Sequence, residues 1–279
     1  MSATRSHAAA ADTGATEASV GAPRREPRGG GLKLQLVAWT SILGGLALWE
    51  FVGRVLVKNS LFLATPWQTA LALVQLWQEG ALQHHAWVSG QEFLIGFAIA
   101  VALGIPIGLA TAASRRTAAA VNPWVSGLYA TPIIALAPLL ILWFGIGIWS
   151  KVAVVVSLVI FPVIINTEAG VRNADRQLVE AVRSFGANQM QIFMKVSLPS
   201  ALPFILAGLR LGVGRGLIGV VVGELFGARA GLGYLIIQSA EIFNMPKLFA
   251  GVVVLAAAGI LLTAAFQALE RRLVPWNYE

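Results

Sequence analysis

Three ionisable residues, Arg210, Arg215 and Glu224, lie inside one apolar run that extends over about 202–225. A charged side chain at the centre of a bilayer costs about 2.5 to 3.5 kcal/mol on insertion scales, so each should face protein or water. One interpretation is a pathway for an anionic substrate. The other is structural, namely an ion pair, backbone contacts or snorkelling towards an interface. At helical rise Arg215 and Glu224 are about 13 Å apart along the axis, too far to pair directly within one helix.

Residue types suited to catalysis or metal binding are scarce. The chain has no Cys and three His, and His84 and His85 have no third ligand at metal spacing, so we interpret them as solvated. No Gly-Lys-Ser/Thr phosphate loop is present, which excludes the ATPase itself. Glu50 and Glu92 stand at the edges of apolar runs, and we interpret both as interfacial. We therefore expect no catalytic residue, no metal site and no cofactor.

The composition is that of an integral membrane protein. Of 279 residues, 57% are hydrophobic and 12% are charged, whereas a soluble domain has about 25% charged residues. The net charge of +7 would suggest nucleic acid in a soluble protein. Here Lys and Arg concentrate between the apolar runs, so we interpret them as topology signals and expect no nucleic-acid partner.

Six apolar runs are candidates for crossing the bilayer, a task that takes about 20 helical residues. They extend over about 36–57, 93–113, 123–144, 152–165, 202–225 and 248–269. Lys and Arg are most frequent in the segments on the same side as the N-terminus, which predicts that both termini are cytoplasmic. The amphipathic stretch 61–77 is expected outside the bilayer or along its face, and the short run 231–240 is expected to be re-entrant or interfacial.

These runs divide the chain into four regions of an all-α membrane protein. Residues 1–32 lack apolar periodicity and are expected to be a disordered cytoplasmic tail. Residues 33–87 would hold the first transmembrane helix and an external segment. Residues 88–270 would form the core, and residues 271–279 a second cytoplasmic tail.

Two of the runs carry small residues at every fourth position, which places them on one helix face. This spacing predicts close approach of two backbones, either by packing inside one subunit or at a subunit interface or translocation seam. The residues are Gly96, Ala100, Gly104, Gly108, Gly208, Gly212 and Gly216.

The cytoplasmic loop between the fourth and fifth runs, about 166–201, has the pattern of a folded element. Its apolar residues recur at helical spacing from Leu178 to Phe185. Asp175 is a suitable N-cap and Gly186 a helix stop. A second short helix could start at Asn188 and end near Leu198 and Pro199. A short amphipathic helix of this kind either lies on the membrane surface or docks into a partner's groove.

This loop resembles the EAA loop of ABC importer permeases, whose pattern is Glu-Ala-Ala, three residues, Gly, nine residues, Ile, one residue, Leu-Pro. Two positions depart conservatively, since Val stands for the second Ala and Val for Ile. The matching residues are Glu180, Ala181, Val182, Gly186, Val196, Leu198 and Pro199.

Further segments resemble the nitrate, sulfonate, taurine and bicarbonate branch of these permeases, and together the likeness covers roughly residues 60–270. They are Pro132, the run 135–144, Gly145-Ile146-Gly147, Ser150-Lys151, Gly170-Val171, Gly208-Leu209-Arg210, Glu224 and Gly231-Leu232-Gly233-Tyr234.

The resemblance implies a type I ABC importer fold and a set of partners. The permease would pair with a second copy of itself, two cytosolic ATPase subunits would bind beneath, and an extracytoplasmic binding protein would deliver a small anionic solute. The EAA loop would dock on the ATPase: Glu180 would make a polar contact, Ala181 would allow close approach, and Gly186 would permit a sharp turn.

Two other functions remain as alternatives. A secondary transporter driven by an ion gradient favours a longer chain with internal repeats and charges at mid-membrane. A membrane-embedded enzyme needs His, Asp, Glu or Cys clustered at membrane depth. The folded loop favours the ATP-driven importer, whose permease needs no catalytic residues but two packings of similar energy.

Overall fold

The computed structural model describes residues 31–274, which are helical and joined by short connections. Residues from Leu48 onward form one compact unit, and the segment before them is a separate unit. The predicted tails 1–32 and 271–279 lie mostly outside the described residues. The helices are α1 (Gly31–Phe51, extended by a π-helical stretch Val52–Val57), α2 (Pro66–Gln78), α3 (Ala81–Ala113), α4 (Arg115–Ala130), α5 (Ile133–Phe144), α6 (Ile148–Arg172), α7 (Arg176–Ser184), α8 (Gln189–Ile192, extended by a π-helical stretch Phe193–Ser197), α9 (Leu198–Leu225), α10 (Leu232–Glu241) and α11 (Met245–Leu273).

Five helical segments are long and apolar enough to cross a membrane, and six if α4 and α5 together count as one span. The third run, predicted as a span over about 123–144, is divided in the structure between α4 and α5. The chain bends by 101° between α4 and α5. Thr131 takes an extended backbone conformation before Pro132, and the proline ring disfavours helix at the preceding residue.

Helix α6 lies between α3 and α9, and these three helices form the three-helix core. Its centre is a cluster of buried apolar residues, including Phe93, Val155, Val159, Val163 and Val213. Valine suits this position because its branched side chain is stiff and fits against a flat helix face. Both neighbours therefore bury one side against the same central helix.

The small-residue stripes face α6, so packing inside one subunit is the interpretation that the structure supports. A Cβ added at Gly104 would lie 2.9 Å from Val163 Cγ1, and one at Gly108 would lie 2.6 Å from Thr167 Cβ. On α9, a Cβ at Gly216 would lie 2.8 Å from the ring of Phe93. Any side chain at these positions would push the helices apart.

Helix α2 accounts for the amphipathic stretch. Thr65 and Gln68 form a capping box at its start, since each side chain accepts a hydrogen bond from the other's backbone N–H. Its buried face, Ala72 and Leu76, packs with residues of α10 and α11 such as Leu235. The short run 231–240 corresponds to α10, a helix of ten residues that is too short to span.

Candidate functional site

The cytoplasmic loop folds through the local signals that its sequence carries. The Asp175 side chain accepts a hydrogen bond from Gln177 N at 2.8 Å and caps α7. Gly186 stands just after α7 at φ +82°, the left-handed conformation that glycine adopts without strain. Asn188 and Gln191 then form a capping box that starts α8. The predicted short helix after Asp175 is therefore confirmed, and a second helix starts after Asn188 as predicted.

The bounds of this loop differ from the predicted 166–201. Helix α6 continues to Arg172 and takes in Asn166 and Thr167: Asn166 Nδ2 donates to Pro162 O at 2.8 Å, and Thr167 is fully buried. At the other end, the chain does not break at Leu198 and Pro199. The helix runs on into α9, and the π-helical stretch Phe193–Ser197 stands directly before Leu198 and Pro199, where the proline has no N–H to donate. Residues 173–197, the part of the chain predicted to couple to an ATPase, are hereafter called the coupling loop.

The residues of the EAA-like pattern fall into an outward group and an anchoring group. Glu180, Ala181 and Gly186 are exposed, and Val182 is half-buried. Val196 is buried, whereas Leu198 and Pro199 are half-buried at the start of α9. The first group is thus open to contact, and the second joins the loop to the membrane helices.

Helix α7 buries none of its residues within the part of the chain that the structure describes. Phe185, at its C-terminal end, is 90% exposed, and Leu178 is 53% exposed. Large apolar side chains in water are unfavourable when they cluster, and such patches usually mark sites of protein or membrane contact.

The intramembrane charges of α9 have three different environments, and the structure does not bring them together. Arg210 forms a salt bridge with Glu270 of α11. Arg215 donates a hydrogen bond to Tyr129 Oη of α4 at 2.8 Å, and its guanidinium carbon lies 4.8 Å from the centre of the Tyr129 ring. Their roles in a substrate pathway stay predictions.

Glu224 has the most buried environment, with 1% exposure. Its carboxylate accepts hydrogen bonds from Ser89 Oγ at 2.5 Å, Gly233 N at 2.5 Å and Tyr234 N at 3.2 Å. It therefore caps the N-terminus of α10, where unpaired N–H groups and the helix dipole favour a negative charge. A Cβ at Gly231 would collide with this carboxyl group, and its φ of +125° also requires glycine.

Sequence reasoning missed the other members of this polar cluster. Glu92 was interpreted as interfacial, but it is 4% exposed, since α3 begins at Ala81 and carries it into the interior beside Glu224. Lys151 is 3% exposed and its Nζ donates to Gly227 O at 3.3 Å. His85 was interpreted as solvated, but its Nδ1 accepts a hydrogen bond from Gly231 N at 3.0 Å.

Only one signal pointed to this cluster, namely polar residues at helical spacing in an otherwise apolar run: His85, Ser89 and Glu92 lie at i, i+4 and i+7 on α3. Such spacing predicts a polar stripe on one helix face, but it does not identify the helix that the stripe contacts.

Comparison with known proteins identifies the architecture. Residues 104–275 match the family model described as binding-protein-dependent transport system inner membrane component. The membrane subunit fold of the MetNI methionine ABC transporter in an inward-facing conformation is similar, with a TM-score of 0.61 over 71% of this chain and 97% of that chain at 21% identity.

Curated relatives match over most of their length. A putative aliphatic sulfonates transport permease, SsuC of Bacillus subtilis, is 36% identical over 83% of this chain and 84% of its own. The taurine transport system permease TauC of Escherichia coli is 33% identical over 84% and 87%. The formylaminopyrimidine transport permease ThiX of Halalkalibacterium halodurans is 38% identical over 83% and 92%.

Proposed function

The chain belongs to the family of binding-protein-dependent transport system inner membrane components, and on that premise we propose that it carries a small organic anion and engages its ATPase through the coupling loop. As a member, it is a permease subunit of an ABC uptake system in the inner membrane. The ion-gradient-driven alternative loses its support, because the whole family takes part in binding-protein-dependent transport.

Two relatives favour an anionic cargo, since their names specify aliphatic sulfonates and taurine. A third is named for formylaminopyrimidine, so similarity alone leaves the charge of the cargo open. Nitrate and bicarbonate belong to the same class of small anions. The uncovered positive charge of Arg215 on α9 favours the anion over a neutral ring compound.

The exposed apolar side chains of α7 are the observation that supports docking of the coupling loop. Phe185 and Leu178 leave apolar surface uncovered at the end of the molecule that is predicted to be cytoplasmic. An amphipathic helix that lies in a partner's groove buries such anchors. Glu180 is exposed on the same helix, where it is free to contact a charged or polar group of the ATPase.

The assembly proposed for transport has two copies of this chain, two ATPase subunits and an extracytoplasmic binding protein. Closure of the ATPase pair would move the coupling loop and shift the balance between inward-open and outward-open packings. In this arrangement ATP hydrolysis belongs to the ATPase, and the permease supplies the pathway.

Replacement of Phe185 by Ala tests the docking proposal. Truncating a central apolar anchor costs about 1 to 3 kcal/mol of association, so we expect roughly 5- to 150-fold weaker binding of the ATPase to the permease in nanodiscs. The matched control is Phe226→Ala, which removes the same type of side chain at the C-terminal end of α9, far from the coupling loop. Phe226 is 46% exposed. Equal ATPase affinity for both variants would contradict docking through α7.

The cargo is tested separately by ATP-dependent uptake in proteoliposomes that contain the permease, its ATPase and the binding protein. We expect uptake of radiolabelled taurine or ethanesulfonate, and no uptake of a neutral pyrimidine at the same concentration. Uptake of the pyrimidine alone would contradict the anionic cargo and leave the permease assignment intact.

A further inference from the structure

The two arginines of α9 differ in the charge of their partners. Arg210 is neutralised by Glu270. Arg215 contacts only Tyr129 among its described partners, through the hydroxyl at 2.8 Å and through the face of the ring at 4.8 Å. A phenol is neutral at ordinary pH, so these contacts orient the guanidinium and leave its positive charge without a counter-charge.

Arg215 lies deep within the span. It follows Arg210 by five residues, about 7.5 Å along the axis, and precedes Glu224 by nine, about 13 Å. Arg210 reaches Glu270 near the end of α11, whereas Glu224 marks the other end of α9. An uncompensated charge between these two levels cannot face hydrocarbon without a large cost.

The face of α9 that carries Arg215 is uncovered in the described chain. Leu211 is 58% exposed and Ile218 is 51% exposed, and a Cβ at Gly214 would meet nothing within 4 Å. With Arg215, these residues stand at i, i+3, i+4 and i+7, which is one side of a helix. The opposite side is the stripe that packs on α6. The open face is thus bordered by water or by a second copy of the chain.

Most carboxylates among the described residues are already engaged or belong to other parts of the molecule. The chain has 13 Asp and Glu residues, of which Asp12, Glu17, Glu26 and Glu279 lie outside the described range. Glu50, Glu79, Glu168 and Glu270 already form salt bridges. The others are Glu92 and Glu224 in the buried polar cluster, Asp175 and Glu180 in the coupling loop, and Glu241 at the end of α10.

We propose that Arg215, oriented by Tyr129, binds the anionic group of the cargo at mid-membrane. The site would take a sulfonate, carboxylate or similar oxyanion, because a guanidinium donates two parallel hydrogen bonds to such groups. This site rests on the proposed function, because it requires that the open face of α9 line the translocation pathway of the transporter.

Chemical modification of arginine tests this site without any need for transport. The intact complex with its ATPase is treated with phenylglyoxal, and modification of individual arginines is followed by mass spectrometry. We expect Arg215 to react and ethanesulfonate to slow its reaction saturably, by about ten-fold at ten times the dissociation constant. Taurine, nitrate and bicarbonate are tested in the same way, and choline chloride serves as the control salt.

Two other arginines are internal controls. Arg229 is exposed just after α9, outside the coupling loop, and should react equally with and without each anion. Arg210 should react slowly under all conditions because of its salt bridge. The proposal is overturned if Arg215 does not react in the complex, or if none of the anions protects it more than Arg229.

Transport by variants separates this inference from the proposed function. Arg215→Gln should reduce anion uptake by about ten-fold or more, the value of a charge-assisted hydrogen bond, and Arg215→Lys should retain most of it. Tyr129→Phe should raise KM and leave kcat nearly unchanged. Full uptake by Arg215→Gln would refute the site and spare the permease assignment. Absence of any anion uptake by the native complex would refute the anionic cargo, and Arg215, even if protected, would then bind anions without a role in transport.

Discussion

The three-helix core and the coupling loop differ in how much of their surface is packed against the rest of the chain. In the core, α3 and α9 place glycines against α6, and the backbones approach so closely that added methyl groups would clash. In the coupling loop, α7 is held by caps at its ends and buries no residue against the part of the chain that the structure describes. The core packs within one chain, whereas the loop is locally folded and leaves Leu178 and Phe185 exposed, as the proposed docking on an ATPase requires. Substitutions should harm folding in the first region and association in the second.

The largest expected effect is Gly216→Leu in the core. The new side chain would meet Phe93, whose ring lies 2.8 Å from the position of the first added carbon, so the helices must separate. We expect a loss of about 3 kcal/mol or more in unfolding free energy, the upper range for overpacking, measured by thermal unfolding in detergent.

The matched control is Gly214→Leu, two residues earlier on the same helix. A Cβ there meets nothing within 4 Å, so the variant should unfold within about 0.5 kcal/mol of the native chain. Similar destabilisation by both variants would show that α9 packs on both sides, contrary to the open face described above.

The second effect is Glu224→Ala in the buried polar cluster. The change leaves Gly233 N and Tyr234 N without their shared acceptor, and unsatisfied buried groups cost about 1 to 3 kcal/mol. Hydrogen exchange at the start of α10 should rise with the loss of stability. Glu241→Ala, at the exposed end of the same helix, should leave both quantities unchanged. Equal protection in both variants would contradict the capping role of Glu224.

The smallest effect is Gly186→Ala in the coupling loop. A residue with a Cβ at φ +82° costs about 1 kcal/mol, which should loosen the turn and lower the helicity of α7 without shifting global unfolding. The control is Gly147→Ala, which also faces open space but has an extended φ of −178°. Hydrogen exchange in α7 is the measurement, and a shift in global unfolding would show that the loop is part of the core.

Local signals in the sequence predicted more of the structure of the coupling loop than of the three-helix core. In the coupling loop, Asp175 and Asn188 cap helices that begin at the next residue, and Gly186 stands just after the end of α7. Because these effects are local, the starts of α7 and α8 could be predicted. In the core, the stripes of small residues predicted the close approach of two helices. They did not predict which helix is the partner, because the spacing of residues within α3 does not indicate that it packs on α6. The bend at Pro132 was missed, because a hydropathy average identifies an apolar run but does not indicate a change in the direction of the helix axis.

The buried polar cluster could not be predicted as a site. Ser89 and Glu224 are 135 residues apart in sequence and 2.5 Å apart in space. Lys151 comes from a third helix and appears in the sequence as an ordinary charge at the edge of an apolar run. Such long-range polar contacts depend on how three helices are arranged around each other, which periodicity along one helix does not specify.

The unbroken helix from Gln189 to Leu225 has a mechanical consequence. Its 37 residues make a rod about 55 Å long that begins in the coupling loop and ends one residue beyond Glu224. A tilt of about 5° about one end of such a rod displaces the other end by about 5 Å, roughly the pitch of one helical turn. If the coupling loop docks as proposed, a small rotation at that end would become, through length alone, a displacement of the far end, which contacts α10.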